Sequence, residues 1–550
     1  MKILFVIPPY RTTDALTAQL YPMPLGPVLL CTILREAGHD VTLVNYLLPA
    51  GKSKCDAPES FKGGHAPPYI HYGMPKGKCF IDLTRRARNA DVVCLAMGQC
   101  NVWETGALLA GAIKALEKPL VIGGPFVSTA TDLALKLTRA DVAVTGEAEG
   151  VICDAVAHAA KRLSAPRIIV GVPARDLNLL PVPDWSFSPP VAYPKYNGKV
   201  RGVLTVSRGC PWKCAFCSVH TIMGRVHRRL TKERIVAELT HLWEQGVRYF
   251  CFLDDNLFIS ERATQDILEA IAIMDARFPG FDRCRFYMEE GMEVRMAASP
   301  GIVASIAKRF DNVAIGLETM NQLALNGTRK PYDHELFVKA MNEIKTAGVT
   351  CKAFYILGFP EDTLATVARD LVRFGKLGLA VRPNNLKVYP GTELARRYEE
   401  LGIIDQKTYD WRKSSWHIPT HSLEYSDIKK LKTLLGAIGF AAEQFGVAIF
   451  NDTVADIQTK LRAKKYVLDV QSDHIILTGI MFRDTPYRKF AELLLLRLGA
   501  PGVSSSSVKG SVTAVAQSTP KDRIQAAIIA ALRERKTVGK KQGDDDATSQ

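Results

Sequence analysis

Long apolar runs and cysteines are both scarce in this sequence. No stretch of its 550 residues approaches the roughly 20 apolar residues that a membrane helix requires. The apolar start, Lys2–Ile7, is too short for a signal peptide and predicts a first β-strand. The 12 cysteines, none of them after Cys351, do not form a disulfide framework and suit a reducing compartment. We therefore expect a cytoplasmic protein without a transmembrane segment.

The net charge of the chain excludes few classes of partner. A net charge of +15 is compatible with nucleic acid, anionic lipid or an acidic substrate. The basic residues are scattered, however, and no aromatic-interleaved RNA-binding signature is present. We expect no DNA partner, and a nucleic-acid-modifying enzyme stays an alternative. The length predicts two or three domains, because it exceeds what one core supports.

Three of the cysteines stand together in the segment Cys210-Pro-Trp-Lys-Cys214-Ala-Phe-Cys217. Three thiolates at these spacings can bind three irons of a [4Fe–4S] cube, which leaves the fourth iron free for a small molecule that receives an electron. A zinc site is one alternative, since His220 follows three residues later and could be a further ligand. A chance group of buried cysteines is another. An open iron would favour catalysis over electron storage.

Residues 1–165 alternate β-rich runs with helical patterns, which predicts a doubly wound parallel sheet. Ligands of such sheets bind outside the carboxyl ends of the strands, and glycine there lets the backbone approach a ligand. The predicted strands are Lys2–Ile7, Val41–Tyr46, Asp91–Met97, Leu120–Ile122 and Val142–Thr145, and the helices are Pro27–Ala37, Glu104–Leu116 and Glu149–Ala160. The residues at the expected ligand edge are Leu25, Gly26, Gly123, Gly124, Gly146 and Glu147. Glycines that serve only turn geometry, in a sheet without a ligand, are the alternative.

After a linker at 166–200, residues 201–400 again alternate strand and helix, in six units around the cysteine motif. This pattern predicts a partial (β/α)6 barrel with its active site at the carboxyl ends of the strands. The predicted strands are Val203–Ser207, Tyr249–Leu253, Arg285–Met288, Asn312–Leu317, Thr350–Leu357 and Asn384–Val388. Polar residues and glycine follow several of them: Asp254, Asp255, Glu290, Glu318 and Gly358. Each alone could be a helix cap.

The remaining chain is predicted to form a mostly helical C-terminal domain at 401–502, which caps the barrel. Its helices are placed at Asp427–Phe440 and Tyr487–Leu498. A tail follows at 503–550, rich in Ser, Lys and Gly, with one possible helix at Lys521–Arg535.

The cysteine motif, with Phe216 as its aromatic residue, resembles the signature of the radical S-adenosylmethionine (SAM) superfamily. The strand ends of residues 1–165 resemble the cobalamin-binding domain that precedes many radical SAM domains. The Asp-x-His-x-x-Gly cobalamin motif is absent, since the loop from Pro8 to Gly26 has no histidine. The resemblance therefore implies a Rossmann-like cobalamin domain without a histidine ligand to cobalt.

The resemblance also implies site residues. SAM would contact Phe216, Asp254, Asp255, Glu290, Arg295, Glu318 and Gly358, and the [4Fe–4S] cluster would bind Cys210, Cys214 and Cys217. Cobalamin would contact the strand-end residues of the first domain together with Gln99 and Asn101, which follow its third strand.

The function that the resemblance implies is methylation of an unactivated carbon in a small metabolite. The cluster would reduce SAM to a 5′-deoxyadenosyl radical, and cobalamin would carry the methyl group. A flavodoxin or ferredoxin would supply electrons. Two alternatives remain: a ring-forming or rearranging enzyme in which cobalamin is a redox partner, and an iron–sulfur electron-transfer or sensing protein.

Overall fold

The computed structural model describes residues 1–12, 23–48, 52–55, 69–98, 102–330, 332–379 and 381–406. Beyond these it describes 409, 423, 425–445, 448–449, 451–452, 454–463, 467–471, 474–478, 504–508, 511–515, 524, 528 and 530–531. In this described part, no helix is both long and apolar enough to cross a membrane.

The N-terminal domain alternates strands and helices, as the sequence predicts. Its strands are β1 (Lys2–Ile7), β2 (Tyr10–Thr12), β3 (Asp40–Asn45), β4 (Lys52–Cys55), β5 (Tyr69–Tyr72), β6 (Val92–Ala96), β7 (Leu120–Gly123), β8 (Val142–Thr145) and β9 (Arg167–Val170). Its helices are α1 (Leu25–Glu36), α2 (Lys76–Ala87), α3 (Trp103–Ala115), α4 (Pro125–Thr129), α5 (Thr131–Thr138) and α6 (Ile152–Ala160).

The main sheet of this domain is parallel, with the strand order β3-β1-β6-β7-β8-β9. Helices α2, α3 and α5 bury one face of the sheet, and α1 and α6 bury the other. The order reverses between β1 and β6, and doubly wound sheets bind their ligands at the carboxyl ends of such a pair. The smaller strands β2, β5 and β4 form an antiparallel sheet of their own, which the sequence did not predict.

The predicted boundary at residue 165 falls one strand too early. Strand β9 lies in the predicted linker, yet it pairs with β8 as the edge of the main sheet. Its residues are mostly exposed, so they lack the buried, alternating pattern by which strands are recognised. The linker proper then crosses α1, where the Asp184 amide donates to the Thr32 hydroxyl and Trp185 is buried.

The second domain contains six parallel strands in a partial barrel. Its strands are β10 (Arg201–Leu204), β11 (Ser207–Arg208), β12 (Arg228–Arg229), β13 (Tyr249–Phe252), β14 (Arg285–Met288), β15 (Asn312–Glu318), β16 (Thr350–Leu357) and β17 (Val381–Asn385). Its helices are α7 (Val219–Ile222), α8 (Lys232–Glu244), α9 (Glu261–Arg277), α10 (Val294–Ala297), α11 (Ile302–Ala307), α12 (Gln322–Thr328), α13 (His334–Thr346), α14 (Leu364–Leu377) and α15 (Glu393–Glu400).

The barrel strands follow the order β10-β13-β14 and β15-β16-β17, and parallel bridges such as Met292 to Ile315 connect the two halves. Stacked rings fill the space behind the first half, where Phe250 and Phe286 lie 5.3 Å apart between ring centres. The short antiparallel pair of β11 and β12 stands outside the barrel, and the cysteine motif lies in the segment between these two strands. This arrangement places the cysteine loop next to the carboxyl end of β10.

The C-terminal region contains helices, as predicted, and strands that the sequence did not predict. Helix α16 (Tyr425–Phe445) packs beside α14 and against β17, so it extends the outer helical layer of the barrel. After α17 (Val454–Ala463) the chain forms an antiparallel sheet of β18 (Val467–Gln471), β19 (His474–Thr478), β20 (Ser504–Val508) and β21 (Ser511–Val515). The last two strands fall in the predicted tail, where their serines and short length hide the strand pattern. The predicted helix at Tyr487–Leu498 lies outside the described residues, and that at Lys521–Arg535 is described only at single helical positions, including the buried Ile524 and Ile528.

Candidate active site

The cysteine loop joins β11 to α7, and backbone contacts fix it at its start and in its middle. Gly209 begins the loop with φ of +81°, and a side chain there would collide with the carbonyl oxygen of Val226. In the middle of the loop, the Ala215 amide donates to the Thr328 carbonyl at 3.0 Å, and the Leu394 amide donates to the Ala215 carbonyl at 2.9 Å. Backbone bonds to two separate elements therefore fix the path of the loop.

The three thiols are half-buried and near enough to affect one another's ionisation. Burial, together with the neighbouring Cys214 and Cys210, raises the pKa of Cys217 to about 12, although the Val219 amide donates to its sulfur. Burial also raises the pKa of Cys210, against donors from the Trp212 amide and the Asn256 side chain. No three Cys, His, Asp or Glu side chains in the described part are grouped to hold a single metal ion.

This donor set fits an iron–sulfur cluster. Three thiols converge from one loop, and amide groups donate to two of the sulfurs. Hydrogen bonds to sulfur are among the interactions that tune such clusters. Cys210, Cys214 and Cys217 would thus hold a [4Fe–4S] cube.

Phe216 and Gly358 connect the cysteine loop to the end of β16. The ring of Phe216 meets the ring of Phe359 edge to face at 6.1 Å. Gly358 has φ of +107°, and the buried carboxylate of Asp362 accepts from the amides of both Gly358 and Phe359 at 3.0 Å. The Tyr398 hydroxyl donates to the Gly358 carbonyl at 2.7 Å. This turn is built by internal hydrogen bonds that the sequence did not reveal.

The two aspartates after β13 have different environments. Asp254 is buried, and its carboxylate accepts from the Val206 amide at 3.0 Å and from the Ser207 hydroxyl at 2.6 Å. It thereby ties the end of β13 to β11, the strand that precedes the cysteines. These contacts give Asp254 a positioning role, and its contact with SAM stays a prediction.

Asp255, unlike Asp254, is exposed, and it follows the carboxyl end of β13. The surrounding wall still removes enough water to raise its pKa to about 6, and Arg208 opposes that shift. Glu290, after β14, is likewise exposed, and its pKa is raised to about 7 by desolvation and by the charges of Glu289 and Asp255. Two predicted SAM-binding carboxylates therefore do meet at one edge of the barrel.

Glu318 ends β15 in an uncommon conformation. Its φ of +61° is rare for a residue with a side chain, and the register of β15 on β16 shifts at this point. Its buried carboxylate pairs with the Lys330 ammonium at 2.8 Å. That pairing raises the pKa of Lys330, against desolvation, and the Cys214 thiol contributes to the rise. The Glu318–Lys330 pair therefore adjoins the cysteine loop.

The side chain of Arg295 contacts the cysteine loop at Trp212. Its guanidinium lies 4.5 Å from the ring centre of Trp212 and 3.6 Å from the Glu293 carboxylate. This cation–π contact is the environment the structure gives to a predicted SAM-binding residue.

The carboxyl edge of the N-terminal sheet contains the predicted glycines. Gly124 has φ of +114°, and an added Cβ would lie 2.7 Å from the Met97 carbonyl oxygen, so the packing of β7 on β6 requires glycine there. Gly123 has ordinary surroundings, while Gly26 and Gly98 have open space where a side chain would stand. Leu25 begins α1 and is half-buried. Gln99 and Asn101 lie outside the described residues.

This edge of the sheet faces the barrel. Helix α4, which follows Gly124, contacts α7, which begins two residues after Cys217. At the end of β8, a Cβ added to Gly146 would lie 2.8 Å from the Gly171 oxygen and 3.8 Å from the oxygen of Ile222 in α7. The edge thus suits a flat ligand shared with the barrel, because its open glycines leave the crevice clear.

Glu147, at the same edge, binds a side chain of the barrel domain. Its buried carboxylate forms a bidentate ion pair with Arg228 of β12, one contact measuring 3.0 Å, and also accepts from the Ala174 amide at 3.0 Å. Arg208 lies 3.5 Å from Glu147 and donates to Glu149 at 2.6 Å. These contacts join the two domains, and the contact of Glu147 with cobalamin stays a prediction.

Sequence comparison identifies the cysteine domain. The model of the radical SAM superfamily matches residues 204–371. A methyltransferase of Pyrococcus horikoshii, named as uncharacterized, is 24% identical over 469 residues, covering 79% of this chain and 91% of the relative. The hopanoid C-2 methylase of Rhodopseudomonas palustris is 26% identical over 295 residues, covering 52% of this chain and 54% of the relative. The anaerobic magnesium-protoporphyrin IX monomethyl ester cyclase of Synechocystis is 22% identical over 442 residues, covering 76% of this chain and 82% of the relative.

Solved structures share both domains. The cobalamin-dependent SAM radical enzyme OxsB, with aqua-cobalamin and SAM bound, gives a TM-score of 0.58 at 12% identity, covering 84% of this chain and 70% of that one. The radical SAM methyltransferase TsrM from Kitasatospora setae, with cobalamin and a [4Fe–4S] cluster bound, gives a TM-score of 0.53 at 15% identity, covering 73% of this chain and 78% of that one.

The match to the radical SAM superfamily model covers the cysteine loop and most of the barrel, so this part of the chain is similar to radical SAM domains. The fold of the described residues is similar to the fold of OxsB and TsrM.

Proposed function

We propose that this protein is a cobalamin-dependent radical SAM C-methyltransferase acting on a small molecule. The observation that carries the proposal is the position of the cysteine loop. The loop lies at the carboxyl ends of the barrel strands, and the carboxyl edge of the N-terminal sheet meets it through α4 and α7. Two cofactor sites that face each other suit a reaction that needs both cofactors near one carbon.

The bound groups would supply electron transfer to SAM, a 5′-deoxyadenosyl radical and a methyl carrier, and the chain's share is to bind, orient and exclude water. Cys210, Cys214 and Cys217 hold the cluster and leave one iron for SAM. Asp255 and Glu290 are available to the ammonium of SAM, because their oxygens face the mouth of the barrel. At the end of β16, Gly358 has no side chain, so SAM can approach its backbone atoms closely.

For cobalamin, the binding surface is the switch point between β1 and β6 with the ends of β7 and β8. Gly26 and Gly98 give the corrin open backbone, and Gln99 and Asn101 stay candidate contacts from the loop after β6. Because the loop after β1 has no histidine in the sequence, no imidazole from that loop would bind cobalt.

The nearest alternative is ring formation. The cyclase relative covers as much of this chain as the methyltransferase relatives do, so overall similarity does not separate the two reactions. Methylation is favoured because the hopanoid methylase and TsrM add methyl groups by name. We also propose a small organic substrate, a reducing cytoplasmic location and an acidic electron carrier as partner.

The test is isotopic. The purified, anaerobically reconstituted protein is given SAM with a deuterated methyl group and a panel of small metabolites. A product heavier by one deuterated methyl group supports methylation. A cyclised product without SAM-derived carbon supports the alternative, and reduced protein that makes no 5′-deoxyadenosine at all contradicts both.

A further inference from the structure

A cleft of about 400 Å³ lies against the outer side of the cysteine loop. Its wall includes Lys213, Cys214 and Ala215 from the loop, together with Thr392 near the start of α15. Cys214 lines the cleft, whereas Cys210 and Cys217 do not, so the cleft reaches the cluster site beside Cys214.

The cleft is strongly basic. Lys213, Arg225, Arg329 and Arg396 line it, against one carboxylate, Glu393. Glu393 lies 2.5 Å from Arg329, and Arg396 lies 3.1 Å from Glu400 and 4.0 Å from Glu393, so two of the four cations are paired with carboxylates.

The two cations nearest the loop are not neutralised. Lys213 and Arg225 are both exposed, and neither has a carboxylate within ion-pair distance among the residues that the structure describes. Arg225 makes one weak bond, to the Trp212 carbonyl at 3.3 Å. Beside it, the apolar side chain of Val226 is 70% exposed. Exposed cations around an apolar residue are typical of a surface that meets an acidic protein rather than of a closed pocket for a small anion.

We propose that this cleft is the docking surface for an acidic one-electron carrier protein of the flavodoxin or ferredoxin type. The inference rests on the proposed function, because it requires the cluster. One electron passes from the reduced carrier to the oxidised cluster near Cys214, the carrier is oxidised by one electron, and no proton moves. The carrier binds without entering the barrel mouth, so SAM and substrate can stay bound during reduction.

The experiment compares two reductants of the reconstituted full-length protein. Stopped-flow absorbance measures cluster reduction by a reduced flavodoxin over a range of salt concentrations, and by dithionite, which needs no docking surface. The test variant is Lys213→Glu with Arg225→Glu. The matched control is Arg277→Glu with Lys308→Glu, a pair of exposed cations at the opposite ends of the barrel strands.

We expect the test variant to be reduced by flavodoxin roughly ten-fold more slowly at low salt and to lose the salt dependence of the rate. Reduction by dithionite, and the yield of 5′-deoxyadenosine with dithionite, should equal those of the unmodified protein. Equal slowing in the control variant, or an unchanged flavodoxin rate in the test variant, would overturn the proposal. Slowing by both reductants would assign Lys213 and Arg225 to support of the cluster and reject docking. Unmodified protein that neither reductant reduces would instead refute the proposed function.

Discussion

Glu147, after β8 of the N-terminal sheet, and Arg228, on β12 beside the cysteine loop, form a buried ion pair between the two domains. Arg228 also donates to the carbonyls of Ala174 and Met223, so its guanidinium is bound on several sides. With Arg208 and Glu149, the pair joins the carboxyl edge of the N-terminal sheet to β11 and β12, the strands on either side of the cysteine loop. We therefore expect these four residues to set the distance between the proposed cobalamin surface and the proposed cluster site.

Removing one partner of this pair should destabilise the protein and uncouple its reaction. Arg228→Met removes the bidentate partner of the buried Glu147 and leaves it only Arg208 at 3.5 Å. Loss of one partner of a buried ion pair costs about 3–5 kcal/mol. Asp184→Asn removes the ion pair between Asp184 of the linker and the half-exposed Arg35 of α1. This change should cost less than about 1 kcal/mol. Denaturant unfolding measures both losses of stability. Under conditions in which the Arg228→Met protein stays folded, it should release more 5′-deoxyadenosine per molecule of product. Unchanged stability in Arg228→Met would contradict the assigned role.

The adjacent aspartates after β13 should respond differently to mutation. Asp254→Asn replaces an oxygen acceptor of the Val206 and Ser207 groups, so we expect a loss of about 2 kcal/mol in the free energy of unfolding. Asp255→Asn should leave stability nearly unchanged and weaken SAM binding, since its carboxylate faces the barrel mouth. The equilibrium binding of SAM and the chemical unfolding of the two variants distinguish the residue that contacts SAM from the residue that stabilises the fold. The reverse pattern would show that Asp254 is the SAM contact.

Asp370 predicts a pH dependence of stability. It is buried in α14, where it accepts from the Tyr355 hydroxyl at 2.7 Å, and burial raises its pKa to about 7. The folded state therefore holds this proton more tightly than the unfolded state, in which the pKa is about 3.9. Its contribution to stability is present below about pH 4 and is lost as the pH rises to about 7, by at most about 4 kcal/mol. Asp370→Asn should flatten the unfolding free energy between these values, and a slope identical to that of the unmodified protein would refute the assignment.

Much of the fold follows from local sequence. The bounds of β1, β8, β14 and β16 are those predicted, because each is a compact β-rich run between turn signals. The sequence could not separate Asp254 from Asp255, since only the tertiary fold decides which one meets the Ser207 backbone. It could not assign Arg228 either, whose partner Glu147 lies 81 residues earlier in the chain. Strands β9, β20 and β21 were missed because edge position and polar composition remove the apolar alternation.

The cysteines divide into cluster ligands and packing residues. Cys214→Ala should lose most bound iron and sulfide, because a cube without its third ligand is not retained. Cys284→Ala, at a buried position before β14, should keep the cluster and cost about 1 kcal/mol of stability. Iron and sulfide analysis with electron paramagnetic resonance of the reduced protein compares them. A Cys214→Ala protein with full iron content would remove the basis of the cluster assignment.

The count of by-products against product tests the central claim most directly. A methyltransferase of this kind consumes two SAM molecules per turnover, so S-adenosylhomocysteine and 5′-deoxyadenosine should each appear in a one-to-one ratio with a product that carries the SAM methyl group. Product formed with 5′-deoxyadenosine alone, or without SAM-derived carbon, would contradict methylation and assign the protein to ring formation or rearrangement.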